Sequence, residues 1–307
     1  MRFREVSSTA VFVSAVGLFV LSACASAPPE PARRLTATDS GRLSFTVRQG
    51  FSTVTLDGNL LLPDGQGPFP AVVLLHGCAG VTSTVGGWVD ALLGWNYATF
   101  VVDSLTGRGF REVCTQYLAL PSEARVPDGY SALHLLATHP RIDPARIALM
   151  GFSHGAATTI MAAEAFTARR HTRSDGPRFR AFFAFYPRCL NAFQGGRTAG
   201  PLRIHTGELD DWTPARECVE LAAMLKRGGN DVEATVYPGA YHAFDNVGAP
   251  AYRRLANVQN WATGRLQYGA TVGYSREATE AAREKVRAEL TGLVEKARPL
   301  ERGPFHD

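Results

Sequence analysis

The sequence predicts an α/β fold: a mostly parallel central sheet with helices on both faces. Three features carry that expectation. From Pro70 onward, short apolar runs alternate with amphipathic stretches, as strand–helix–strand units require. The runs Pro70–His76 and Arg146–Met150 lack the polar alternation of a half-exposed strand and suit strands covered on both faces. The second run leads into Gly151-Phe152-Ser153-His154-Gly155 and then into an alanine-rich stretch. A glycine-flanked serine therefore stands on a strand-to-helix turn.

The 307 residues are 45% hydrophobic and 20% charged, which is ordinary globular composition. No internal linker divides them, so a single domain is expected over residues 41–307. The front end differs. Arg2 and Arg4 precede an apolar run, Val6–Val20, that is short for a membrane span. Residues 1–23 read as an export signal. Leu21-Ser22-Ala23-Cys24 resembles the lipobox of bacterial lipoproteins, which implies cleavage before Cys24 and lipidation of its sulfur; the alternative is a plain secretory peptide, cut near Ala25 or Ala27, that releases the chain to the periplasm. Ala25 after that cysteine implies, by the same resemblance, an outer-membrane destination facing the periplasm. Residues 24–40, with three prolines, read as a tether. The net charge of +4 falls to near +3 once the signal is removed. With its arginines scattered, such a chain is a poor candidate for nucleic-acid binding.

The elements follow in order. Leu43–Gln49 and Ser52–Leu62 alternate apolar and polar residues, as an antiparallel opening pair would. Pro70–His76 is a buried strand, Gly86–Gly94 a helix and Ala98–Val102 a strand ending at Asp103. Val126–His139 is an amphipathic helix with Pro127 in its first turn. After the Arg146–Met150 strand, Ala156–Phe166 reads as a helix and Thr167–Phe179 as a basic surface loop. Ala181–Tyr186, Leu202–Thr206 and Val232–Tyr237 read as strands. Pro214–Lys226 reads as a helix, and Ser275–Ala297 as a long helix with an apolar stripe.

A serine nucleophile needs a base, and the base needs an acid to orient it. In the α/β-hydrolase fold that the serine motif suggests, the chain order is serine, acid, histidine. His242, in a loop after the Val232 strand, is expected as the base. His205 lies inside a strand and reads as core, and His306 lies in the tail. The acid is sought in Gly207-Glu208-Leu209-Asp210-Asp211-Trp212-Thr213-Pro214. Asp210 fits the spacing to both Gly207 and Pro214, while Asp211 reads as a cap for the helix that follows. Backbone N–H groups of His154 and Cys78 are expected to form the oxyanion hole. His76 and Cys78 lack further ligands at metal-binding spacing, and neither a metal nor an organic cofactor is expected.

With these residues placed, the chain resembles the dienelactone hydrolase family over about Leu60–Ala297. The resemblance rests on His76-Gly-Cys-Ala-Gly80, Val102-Asp-Ser104 with Arg108-Gly109, Asp143–Ile147 leading to Gly151–Gly155, Gly207–Asp210 and Tyr237–Phe244. It implies Ser153, Asp210 and His242 as a triad. The family's namesakes use a cysteine nucleophile, where this chain has Ser153, and a glutamate where it has Gly77. Dienelactone as a substrate therefore does not carry over. Arg108 is expected either to meet a substrate carboxylate, as an arginine of this region does in the family, or to form a structural ion pair. The strand order of the fold also bears on Cys78, Cys114, Cys189 and Cys218. It sets the Pro70 strand beside the Ala98 strand, and the Ala181 strand beside the Leu202 strand. It thus implies the disulfides Cys78–Cys114 and Cys189–Cys218.

The expected function is cleavage of a small carboxylic ester or lactone through an acyl-enzyme. The same machinery serves a peptidase or acyltransferase, and a catalytically silent, envelope-anchored binding protein is the alternative from another class.

Overall fold

The computed structural model describes residues 33–50, 52–189, 192–193 and 196–295. Cys24, the rest of the predicted signal and His306 lie outside the described residues.

Eight strands form one sheet in the order β1-β2-β4-β3-β5-β6-β7-β8. They are β1 (Gly41–Gln49), β2 (Ser52–Leu61), β3 (Phe69–Leu75), β4 (Ala98–Asp103), β5 (Ile142–Phe152), β6 (Phe182–Phe185), β7 (Leu202–Gly207) and β8 (Val232–Tyr237). β1 and β2 are antiparallel, with Gly41 opposite Leu60, and β2 meets β4 antiparallel. All later pairs are parallel. Leu43, Phe45 and Val47 of β1 are buried and their neighbours are not, which is why this strand alternates in sequence.

Residues of β3 are buried on both faces, which explains its unbroken apolar run. Ala71, Val73 and Leu75 join a core shared with α2 (Val126–Leu136), α3 (His154–Ala162) and α5 (Ala215–Arg227). Val72 and Leu74 join the opposite core, built with α1 (Ser83–Gly94) and α6 (Arg276–Leu290). The molecule is the expected α/β-hydrolase sandwich.

Two expectations are corrected and one element is added. The domain begins before Gly41, because Leu35 is buried in the first core and its N–H donates to Thr138 Oγ1 at 2.9 Å. The stretch Thr167–Phe179 is not all loop. Its first residues belong to a short helix, α4 (Ala165–His171), whose basic side chains gather in its last turn, where the helix dipole favours cations. A two-stranded ribbon, β9 (Arg253–Asn260) and β10 (Gln267–Val272), was not anticipated. Half of β9 is exposed, so it carries little apolar signal.

Both disulfides join the pairs implied by adjacent strands: Cys78–Cys114, with Cα atoms 4.9 Å apart, and Cys189–Cys218, at 5.0 Å.

Candidate active site

Ser153 sits between β5 and α3 with φ 51° and ψ −112°, a conformation that costs a non-glycine residue energy and is held by its surroundings. Its N–H donates to the Phe185 carbonyl at 2.9 Å. The turn is possible because of its glycines. A Cβ on Gly151 would run into the Gly155 carbonyl, and one on Gly155 into the Leu75 carbonyl. The helix that follows therefore packs directly on the end of β3.

Ser153 Oγ lies 2.9 Å from His242 Nε2, and His242 Nδ1 lies 2.8 Å from Asp210 Oδ2. Asp210 is buried and tightly held. Its Oδ1 accepts the N–H groups of Trp212 and Thr213 at 2.9 and 2.8 Å, and its Oδ2 accepts the Thr213 hydroxyl at 2.9 Å. The His242 ring lies between Tyr186 and Trp212, with centroids 4.7 and 4.8 Å away. Beneath it the buried Asp245 accepts from Trp88 Nε1 at 2.7 Å and from the Tyr186 hydroxyl at 2.8 Å. Burial raises the Asp245 pKa, and those two donors act against it. His205 is elsewhere: it is buried in β7, stacked on Phe185, with Nδ1 2.9 Å from the Tyr237 hydroxyl.

Cys78 follows β3 and lines the same cavity as Ser153 and His154. A Cβ on the adjacent Gly77 would stand 3.5 Å from the Ser153 Cβ, so the two loops touch. Neither the Cys78 N–H nor the His154 N–H has an acceptor among the described residues. The Cys78 sulfur is bonded to Cys114 and is not free for a metal.

A buried polar layer supports these loops, and sequence reading missed it. The fully buried Arg125 donates to His154 Nδ1 at 2.8 Å and to the His76 carbonyl at 3.0 Å. With Nδ1 accepting, His154 carries its proton on Nε2 and donates to the Leu120 carbonyl at 2.9 Å. His76 Nε2 accepts the Ser104 N–H at 3.1 Å, so its Nδ1–H donates to the Gly77 carbonyl at 2.7 Å. Burial, and then the Arg125 cation, hold both rings neutral. The His76 pKa is pushed down to about 3 and that of His154 well below the usual histidine range. Both histidines thus act as fixed hydrogen-bonding struts.

Arg108 takes the structural one of its two expected roles. Its side chain is only 6% exposed, and its guanidinium binds Asp128 at 2.9 and 2.7 Å and donates to the Ser104 carbonyl at 2.7 Å. Asp211 is also reassigned. It does not cap α5, whose first turn lacks a side-chain cap, but binds Thr271 and Arg254 of the ribbon. The ribbon in turn brings Gln259 and Trp261 to the cavity. The Gln259 N–H donates to the Cys114 carbonyl at 2.8 Å, and its carbonyl accepts Trp212 Nε1 at 2.9 Å. An open cavity of about 40 Å³ lies beside Ser153.

Comparison with known proteins agrees with this architecture. A dienelactone hydrolase from Anabaena variabilis superimposes with a TM-score of 0.56 at 17% identity, covering 83% of this chain and 99% of the other. Esterase 2 of Thermogutta terrifontis gives 0.57 at 15% identity, covering 82% and 93%. At these identities the likeness shows the fold. A Bradyrhizobium protein named "Probable 2-oxo-3-(5-oxofuran-2-ylidene)propanoate lactonase" is 23% identical over 144 residues, 43% of this chain and 53% of the other, so the match spans about half of that relative's length. The model of the Dienelactone hydrolase family matches residues 56–287, and the chain belongs to that family.

Proposed function

We propose that this chain hydrolyses a small carboxylic ester or lactone with Ser153 as nucleophile, His242 as base and Asp210 as the orienting acid. The observation that carries the reading is the relay from Ser153 Oγ through both nitrogens of His242 to Asp210, at 2.9 and 2.8 Å. His242 takes the Ser153 proton as Oγ attacks the carbonyl carbon. The oxyanion that forms is held by the N–H groups of Cys78 and His154, both without acceptors among the described residues. The tetrahedral intermediate expels the alkoxide, which His242 protonates, leaving an acyl-Ser153. Water, deprotonated by His242, then releases the acid and restores the hydroxyl.

The lactonase name of the Bradyrhizobium relative is consistent with a cyclic ester. The lipobox-like Leu21–Cys24 supports a further part of the reading, a lipid anchor at Cys24 that holds the enzyme at the outer membrane, facing the periplasm. Labelling by a fluorophosphonate, with release of alcohol from short-chain esters and lactones, tests the hydrolase reading. A folded protein that neither labels nor turns over any ester would overturn it and favour a silent binding protein.

A further inference from the structure

Ser153, Asp210 and His242 all follow the C-terminal ends of parallel strands: β5, β7 and β8. The chain enters the fold at the other end of those strands. The Leu35 N–H donates to Thr138 Oγ1, and the Asp39 carbonyl accepts from His139 Nε2 at 3.1 Å, both in the connection from α2 into β5. A six-residue strand such as β7 keeps the two ends roughly 17 Å apart. α4 lies at the entry end as well. His134, one turn before Thr138, donates to the carbonyl of His171, the last residue of α4, at 2.8 Å.

α4 and the turn after it present an amphiphilic surface. Phe166 is 60% exposed, and the Arg170 guanidinium lies 5.8 Å from the centroid of its ring. Arg169, Arg170 and Arg173 are exposed. Among the described residues only Arg173 of the three has an ion-pair partner, the exposed Asp175. Residues 164–180 hold five arginines against two acids. Beside the helix opens a cavity of about 370 Å³, lined by the buried rings of Tyr130, Phe179 and Phe182 and by the exposed Arg169 and Arg173. Among the described residues its lining contains no acidic side chain. Apolar surface bordered by cations suits a partner that is apolar in body and anionic at its head, as an acidic phospholipid is. Arg33, where the described chain begins, is nine residues from Cys24. A lipid on Cys24 therefore holds this end of the molecule within about 30 Å of the bilayer.

We propose that α4 and its following turn are a membrane-docking face: Phe166 and the three arginines sit on an anionic phospholipid surface, and the catalytic cavity is turned to the water. The enzyme then draws its ester from solution and not from the bilayer. This rests on the anchor at Cys24 for proximity and on the hydrolase reading for the ester, but docking itself needs neither.

The test uses residues 24–307 without a lipid, which keeps every described residue, and reads co-sedimentation with vesicles at low ionic strength. The chain should prefer phosphatidylglycerol to phosphatidylcholine vesicles. Each cation near an anionic surface contributes about fivefold in partitioning, so Arg169→Gln/Arg170→Gln/Arg173→Gln should bind phosphatidylglycerol about a hundredfold more weakly. The same charge removed at the cavity end, by Arg111→Gln/Arg216→Gln/Arg276→Gln, should cost about threefold at most. All six side chains are exposed, and circular dichroism checks that both variants fold. No preference for phosphatidylglycerol, or equal losses from the two triple variants, overturns the proposal. Binding of monomeric octyl sulfate without any vesicle preference overturns it in favour of a small-molecule site. Cys24 is the one cysteine outside the two disulfides, so coupling it to a maleimide lipid restores an anchor. Ser153 should then label with a water-soluble fluorophosphonate as fast on vesicles as in solution. Labelling slowed about tenfold or more on vesicles turns the cavity to the membrane and overturns the proposal. A chain that docks through α4 but labels in neither state upholds the face and overturns the hydrolase reading alone.

Discussion

Asp211 grips Thr271 with both carboxylate oxygens: one accepts the Thr271 N–H at 2.7 Å, the other its hydroxyl at 2.9 Å, and the second also holds Arg254 Nη1 at 2.6 Å. Its neighbour Asp210 holds His242. Two adjacent aspartates thus hold different partners, one His242 and the other the ribbon that walls the cavity. Asp210→Asn should cut kcat about 10⁴-fold by favouring the wrong imidazole tautomer. Asp211→Ala should mainly raise KM and speed hydrogen exchange at the Thr271 amide. Equal kcat losses from the two variants would contradict this division.

The difference between these two aspartates marks what the sequence could say. Asp210 was legible because its spacing to Gly207 and Pro214 is local, and Gly207 is required where the β7 end passes close to the Ala240 carbonyl. Asp211 acts across 60 residues, on a ribbon whose exposed face leaves little periodic signal. Arg125 was missed for a related reason. A lone arginine at a helix start reads as surface, and only the fold reveals that it is buried between His76 and His154. The disulfides were legible because adjacent parallel strands bring their following loops together, β3 beside β4 and β6 beside β7.

Ser153→Ala should abolish fluorophosphonate labelling and nearly all turnover while leaving the thermal unfolding midpoint close to that of wild type. The side chain removed is small, and the strained backbone at φ 51° tolerates alanine about as well as serine. Retention of more than about a hundredth of wild-type kcat would exclude Ser153 as nucleophile, since a triad serine contributes far more.

Cys78 connects the loop after β3 to Cys114, whose carbonyl accepts the Gln259 N–H. The bridge therefore holds both the amide proposed for the oxyanion and one wall of the cavity. The double variant Cys78→Ala/Cys114→Ala should lose kcat by about tenfold or more at temperatures where circular dichroism shows the fold intact. Cys189→Ala/Cys218→Ala should instead act on stability, since that bridge lies outside the loops of the proposed oxyanion site. A first variant with unchanged kcat would remove Cys78 from the oxyanion site.

Arg108→Met should destabilise the protein by about 3–5 kcal/mol, since it strands the buried Asp128 carboxylate that Arg108 now binds twice. Burial already raises the Asp128 pKa, so without Arg108 its carboxyl should protonate at a still higher pH. Urea unfolding at pH 7 measures the loss. An unchanged stability would return Arg108 to its other expected role, meeting a substrate carboxylate.

Stability should fall as pH drops from 7 to 5, and buried histidines supply the reason. His76 and His171 have their pKa values pushed down to about 3 and about 4, and those of His154 and His139 are also lowered, each chiefly by burial. In the unfolded chain all four return to about 6.5. Below that value the unfolded chain binds protons that the fold refuses, so each ring contributes stability that is present above pH 6.5 and lost as pH falls toward its folded value. The raised carboxyls of Asp128 and Asp245 act in the opposite direction, since the fold binds their protons more readily. His171 is the ring to test, because it stacks on Tyr130 at 5.0 Å, a contact that phenylalanine keeps. His171→Phe should remove close to one proton from the uptake on unfolding near pH 5, flattening the slope of unfolding free energy by up to about 1.4 kcal/mol per pH unit. Urea unfolding of both proteins at pH 7, 6 and 5 measures that slope. Parallel curves would show that His171 titrates alike folded and unfolded, and would place the acid sensitivity in other groups.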